Sequence, residues 1–144
     1  MVTKLVHSKL VTFEDGTIKL TEEAKIVAMD LVSKHRLWES FLLENFGYRW
    51  EEVHDDAELL EHATSPFLLA KLNEFLNYPT HCPHGGRIYV NDTNNKLHYV
   101  PLSIIKENES AIIRRFTDDK RLLSYMKEND LDIDVEITVS KIDF

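Results

Sequence analysis

At 144 residues the chain has room for one ordinary domain, or for a small helical domain with part of a second. Hydrophobic residues make up 43% and charged residues 29%, a balance that excludes both a disordered chain and a membrane-spanning one. A formal net charge of -8 excludes a protein that grips DNA phosphates through its surface as a whole, although Lys4, Lys9 and Lys19 outnumber Glu14 and Asp15 near the start. No apolar signal segment follows Met1 and Cys82 is the one cysteine, so a cytoplasmic protein without an intrachain disulfide and without membrane contact is expected.

In chain order, residues 5–20 predict a short β-hairpin, with Leu5, Leu10, Val11, Phe13, Ile18 and Leu20 flanking an Asp15-Gly16 turn. A lone hairpin cannot bury both faces, which marks this one as part of something larger. Thr21 is an N-cap with Glu22 and Glu23 in the first turn behind it, and a long helix follows to about residue 45, ending near Gly47. Ala24, Ala28, Leu31, Trp38 and Leu42 alternate steps of four and three, defining one buried stripe on which His35 sits. A second helix is predicted over 51–63, and a third begins with Ser65 as cap and Pro66 as first residue, running to about 76. Residues 78–86, with Pro79, Pro83, Gly85 and Gly86, break the helical pattern and predict a linker. Beyond it, 89–90, 99–100, 111–116 and 135–139 predict short strands, with a helix over 119–128.

The chemistry lies on the first two long helices. His35 and Glu39 are one turn apart and share a face. His54, Glu58, Glu61 and His62 form a polar strip on the next helix, Glu58 lying four residues after His54 and three and four before Glu61 and His62. A single histidine on an apolar face is usually a satisfied core residue. Six such groups on two helices that should pack together are how helical bundles build internal metal sites. Imidazole with carboxylate suits Mn(II), Fe(II), Co(II), Ni(II) or Zn(II) better than Cu(I). His81, Cys82 and His84 are packed too closely to complete a four-coordinate site alone, and a turn is the expected role for that segment. Trp38, Phe41, Phe46 and Trp50 are expected in the core or at a dimer interface. No residue is singled out as catalytic.

The stretch LTEEAKIVAMDLVSKHRLWESFLLENFGYRWEEVHDDAELLEHATS, continuing into PTHCPHGGRI, resembles the metal-binding and dimerisation domain of the diphtheria toxin repressor family of iron- and manganese-dependent regulators. The resemblance is carried by HRLxE in the first helix and VHxxAxxxEH in the second, and covers roughly residues 5–88. It implies that His35, Glu39 and His54 form an ancillary metal site, while Glu58, Glu61 and His62 contribute to a primary, activating one. It further implies a homodimer that regulates metal homeostasis, meeting operator DNA through a winged helix-turn-helix of which residues 1–20 retain only the wing. Glutamate at position 58, where the iron-dependent members carry cysteine, leans the reading to manganese without excluding iron, with Zn(II), Co(II) or Ni(II) as surrogates.

The stretch YVPLSIIKENESAIIRRFTDDKRLLSYMKENDLDIDVEITV resembles the start of the SH3-like, FeoA-type domain that follows in many members. Asp118 and Asp119 lie near the place where that domain donates oxygen ligands to the ancillary site; neither is assigned. The expected fold is therefore α+β: a wing-like hairpin over 1–20, a three-helix metal-binding and dimerisation domain over 21–79, a linker over 80–88, and a partial SH3-like β-rich module over 89–144. Two rivals stay open: a carboxylate-bridged metalloenzyme, and a dimerisation module that needs no metal.

Overall fold

The computed structural model describes residues 7–14, 16–92 and 99–142; Lys4, Leu5 and Asp15 of the expected hairpin lie outside them. Strand β1 (Val11–Glu14) pairs antiparallel with β2 (Thr17–Leu20), placing Val11 opposite Leu20 and Phe13 opposite Ile18. Gly16 takes a φ of 76°, the left-handed conformation that so tight a connection requires. Phe13, Ile18 and Leu20 remain exposed, so the hairpin is an arm rather than a core element.

Thr21 welds that arm to helix α1 (Glu22–Phe46): its backbone N–H donates to the Leu10 carbonyl, and its hydroxyl oxygen accepts from the Ala24 N–H at 3.1 Å. At the other end Gly47, with φ 70°, closes the helix by returning its N–H to the Leu42 carbonyl. Helix α2 (Val53–Ala63) starts two residues later than the sequence suggests; residues 50–52 form a turn instead, in which the Glu52 N–H donates to the Arg49 carbonyl. Helix α3 (Pro66–Phe75) is capped by the Ser65 side chain, with Pro66 as its first residue.

The first core joins Leu37, Leu72 and Ile88, with Trp38, Phe41, Leu69 and Leu76 packed around them. Only part of the predicted stripe on α1 is buried. Ala24 and Leu42 are covered and Leu31 and Trp38 partly so, but Ala28 is exposed, as are Ile26, Val27 and Met29. Periodicity names the apolar face, whereas burial also needs an element to lie on it.

Residues 80–88, expected as a linker, are a packed seam. The Cys82 N–H donates to the Gly86 carbonyl at 2.8 Å and the Gly85 N–H to the Cys82 carbonyl at 2.9 Å. Cys82, His84, Gly85, Gly86 and Ile88 are all buried. Gly85 has φ 78°, and a side chain there would collide with the backbone of Arg114. From the far side, the Phe116 N–H donates to the His84 carbonyl at 2.9 Å, which fastens the second module to the turn.

That second module holds a short 3-10 turn (Leu102–Ile104), strand β3 (Ser110–Ile112), helix α4 (Lys120–Glu128) and strand β4 (Glu136–Thr138). The strands pair antiparallel with Ala111 opposite Ile137. Phe116, Leu123 and Met126 form a second core with Trp50, which reaches in from the α1–α2 connection. Two expected strands are not formed. Tyr89 and Val90 lie in a turn, and Tyr99 and Val100 have no ladder partner among the described residues. The Val90 N–H is taken by the Ser33 hydroxyl at 3.2 Å, and the Tyr89 ring is flanked by the guanidinium groups of Arg36 and Arg87. The strand expected over 111–116 ends at Ile112, because the chain then turns toward the seam. The architecture is α+β, with four helices and two small antiparallel sheets among the described residues.

Candidate metal centre

Helices α1 and α2 pack so that His35 and Glu39 of the first face His54 and Glu61 of the second. His35 lies 2.8 Å through Nδ1 from Glu61 Oε2, and through Nε2 lies 3.2 Å from Glu39 Oε1 and 3.1 Å from His54 Nδ1. A carboxylate cannot donate, so the proton on Nδ1 is donated to Glu61. This leaves Nε2 as the nitrogen that faces Glu39 and His54. The pattern is that of a metal-binding imidazole oriented by a carboxylate behind it. Glu39 is 1% exposed and Glu61 8%, and carboxylates so deeply placed are costly unless paired or ligating.

The electrostatics describe a site holding protons where a cation would sit. Burial alone lowers the affinity of His35 for its second proton, but Glu39 and Glu61 outweigh it and raise the imidazole above its ordinary value. Burial likewise pushes the Glu39 carboxyl up, and the hydrogen-bonded imidazole of His35 together with the nearby imidazole of His84 more than reverses this, holding it well below the usual carboxylate range. The first shift shows an imidazolium favoured by the carboxylates beside it, and the second a carboxylate favoured by the imidazoles beside it.

Of the six residues singled out in the sequence, the structure brings four together: His35, Glu39, His54 and Glu61. Glu58 is exposed at the rim of the same cleft, which measures about 260 Å³ and is also lined by Leu31, Val32, Arg36 and Asp118. His62 is exposed, its Nε2 lying 3.3 Å from the second oxygen of Glu61. Glu61 thus has one oxygen on His35 and the other toward His62.

A second group of donors was not anticipated. The turn at 82–86 points Cys82 and His84 inward at Glu39, and these three form one set whose donor atoms lie within 4.8 Å of one another, as do those of His35, Glu39 and His54. His84 is 1% exposed, and neither ring nitrogen has a hydrogen-bond partner. Its Nδ1 stands 3.5 Å from Glu39 Oε1 and 3.8 Å from Asp118 Oδ1, while Trp50 meets its ring edge-on at 5.2 Å. Buried imidazoles are normally satisfied, so an orphan facing two carboxylates and a thiol fits a cation rather than a void. Burial and then Glu39 push the Cys82 thiol up to about 12, so the sulfur keeps its proton at neutral pH. Asp119 is excluded from the group because its side chain caps α4, accepting from the Leu122 N–H at 2.8 Å. The Cys-Pro-His spacing was the available signal, but its partner Glu39 lies more than forty residues earlier and only folding supplies it.

Residues 21–89 match the family model described as "Iron dependent repressor, metal binding and dimerisation domain". The chain is 39% identical over 74 residues to the iron-dependent repressor IdeR of Mycobacterium tuberculosis, covering 51% of this chain and 32% of that protein. It therefore spans about a third of the length of such curated relatives. Among solved structures, the manganese regulator SloR superposes with a TM-score of 0.85 at 35% identity, over 99% of this chain and 67% of that one. The repressor ScaR with bound Zn2+ superposes equally well, with 0.85 at 35% identity over 100% and 73%. Among the described residues no helix is long and apolar enough to cross a membrane. A conserved architecture across nearly the whole chain, and helices that set His35, Glu39 and His54 against one another, converge on one conclusion: the chain belongs to the diphtheria toxin repressor family of metal-dependent transcriptional repressors.

Proposed function

We propose that this chain is the metal-sensing and dimerisation region of a Mn(II)- or Fe(II)-responsive repressor, acting as a sensor rather than as a catalyst. The observation that carries the reading is the convergence of His35 Nε2, Glu39 Oε1 and His54 Nδ1 in a mostly buried cleft, with Glu61 orienting His35 from behind. His35, Glu39 and His54 are the proposed ligands of the ancillary site. Glu58, Glu61 and His62 are proposed for the primary site, completed by groups from a DNA-reading head. Relatives whose names specify iron or manganese, and a zinc-bound relative, support Mn(II) or Fe(II) with Zn(II) as a surrogate. The nitrogen and carboxylate donors of α1 and α2 agree with that choice.

A bound divalent cation supplies positive charge between α1 and α2. The protein's own part is positional: Glu61 fixes the ring of His35, and the packed first core holds α1 against α2 so that the donors need little rearrangement. Glu61 also extends toward exposed His62, which offers a route from the buried group to an element docked on the outer face of α2. Operator binding then follows by linkage, since the equilibrium between head orientations shifts by the difference in cation affinity and no more. Exposed Leu59 on α2 and Phe67, Leu68 and Phe75 on α3 supply an apolar surface for a two-fold dimer.

Titration calorimetry with Mn(II), Fe(II) and Zn(II) tests this reading. His35→Ala should abolish the tightest event, and Glu61→Ala should weaken it roughly 10- to 100-fold by releasing the ring of His35. Unchanged binding in both variants would remove the sensor role and leave a dimerisation module that needs no metal.

A further inference from the structure

A cleft of about 890 Å³ opens where the end of α1, the α1–α2 connection, the seam and α4 meet, and it shares no lining residue with the cleft between α1 and α2. Ser124, Lys127 and Glu128 face it because steps of three and four set them on one side of α4, beside the buried Leu123 and Met126. Leu43 and Glu44 line it from α1, residues 48–51 from the connection, and Pro83 from the seam. We propose that this cleft binds a small linear polyamine, a chain of methylenes carrying two or more ammonium groups.

Three observations lead there. The first is charge. Glu44, Glu51 and Glu128 line the cleft with Arg49 and Lys127, but both cations are already matched: Arg49 lies 3.2 Å from Glu51 and 2.6 Å from Glu52, and Lys127 lies 3.0 Å from Asp132. Glu44 and Glu128 make no ion pair among the described residues, so two carboxylates are uncommitted. The second is that the cleft already accommodates an ammonium. Lys127 Nζ stands 3.7 Å from the centre of the Trp50 ring, on the face where the π-electrons attract a cation. Trp50 is held in place by the rings of His84 at 5.2 Å and Phe116 at 5.7 Å, and Tyr48 by its hydroxyl, which donates to Asp56 at 2.6 Å. Two aromatic walls are therefore set before a ligand arrives. The third is size and lining. The volume falls in the range of small-molecule sites, roughly 300–1,000 Å³, and Leu43, Pro83 and the aromatic walls suit methylenes. A compact inorganic cation would leave that apolar lining unused, and an anion would meet Glu44 and Glu128. A peptide would bring backbone N–H and C=O groups, for which Ser124 is the one uncommitted neutral polar side chain in the lining.

Calorimetric titration of the full chain with spermidine tests the proposal, beside tetralysine and hexaamminecobalt(III), an inert trication of equal charge without methylenes. Spermidine should bind at one equivalent with a dissociation constant below about 1 mM at an ionic strength of about 0.1 M. Hexaamminecobalt(III) should bind roughly tenfold more weakly or worse, for want of apolar contact. Glu44→Gln and Glu128→Gln should each weaken spermidine roughly two- to fivefold, whereas Glu23→Gln, exposed in the first turn of α1, should leave it unchanged. Lys127→Met should tighten it by a similar factor, because the resident ammonium leaves the Trp50 ring. In Trp38→Phe, which leaves Trp50 as the sole indole, emission should shift along the same titration curve. Equal affinity for the two trications, or equal weakening by Glu23→Gln and Glu128→Gln, would show an acidic surface attracting polycations without a site, and would overturn the proposal. It would also be overturned by the absence of saturable binding at millimolar spermidine or by Trp50 emission that ignores bound spermidine. Tetralysine binding more than tenfold tighter than spermidine would overturn it too, by assigning the cleft to a basic protein segment.

Discussion

The two halves of α1 contain similar amounts of apolar side chain and have opposite surroundings. In the first half Ile26, Val27, Ala28 and Met29 lie in the open; in the second, Arg36, Leu37, Glu39, Ser40 and Leu42 are buried. The buried half includes a charged arginine and a glutamate, while the exposed half is mainly hydrocarbon. Hydrophobicity alone would assign them the other way round. What differs is the cover: α2, α3 and the seam at 82–88 close over the second half and convert its polar residues into a preorganised donor set. The first half, with the hairpin arm beside it, presents an unclaimed apolar surface of the kind that marks an interaction site.

Truncation breaks or sharpens this contrast most directly. Leu37→Ala, at a position with no exposure, should cost about 2–5 kcal/mol of unfolding free energy in a urea titration. A cost below about 1 kcal/mol would mean that the second half is less tightly packed than the structure shows. Gly85→Ala should cost about 2 kcal/mol or more, combining a left-handed backbone with a collision against Arg114, whereas Gly47→Ala meets nothing within 4 Å and should cost about 1 kcal/mol for the backbone alone. Equal costs at the two glycines would show that the seam yields easily.

The proton held in the buried half supplies a test by pH. The folded-state value of His35 is raised above 6.5, so its contribution to the metal-free protein is fully present below 6.5 and lost as pH rises through the raised value. Glu39, depressed below 4.5, contributes above that pH and loses its contribution on acidification through its lowered value. With Mn(II) added, the first trend should reverse. A cation displaces the proton on His35 Nε2, so the metal-linked gain in unfolding free energy should grow with pH across that range, by up to about 1.4 kcal/mol per pH unit for one proton. A metal-linked gain that ignores pH would show that His35 is not a ligand.

Smaller effects belong to the first half. Thr21→Ala should cost about 1 kcal/mol through loss of the cap on Ala24 and of the tie to the hairpin. Ile26→Ala, 69% exposed, should change stability by less than about 0.5 kcal/mol. A larger loss at Ile26, accompanied by a change in sedimentation, would show that a second copy of the chain covers that face.

The sequence alone determined whatever depends on neighbours a few residues apart. Thr21 and Ser65 announce helix starts because their side chains reach N–H groups three residues on, and Gly47 announces an end because it accepts a positive φ at little cost. The steps of four and three that group His35 with Glu39, and His54 with Glu58, Glu61 and His62, are equally local, so all six candidates were legible from spacing, and the resemblance to known repressors gave them roles. Only the tertiary structure decided which of them meet. It placed Glu61 behind His35, left Glu58 at the rim and His62 outside, and turned a segment that reads as a linker into a buried wall presenting Cys82 and His84 to Glu39. It also withheld strands from 89–90 and 99–100, where side-chain contacts with Ser33, Arg36 and Arg87 took the place of a ladder at the first pair. The physical reason is separation along the chain: a donor set assembled from residues 39, 82 and 84 leaves no periodic trace, because no local rule relates positions whose distance is set by packing.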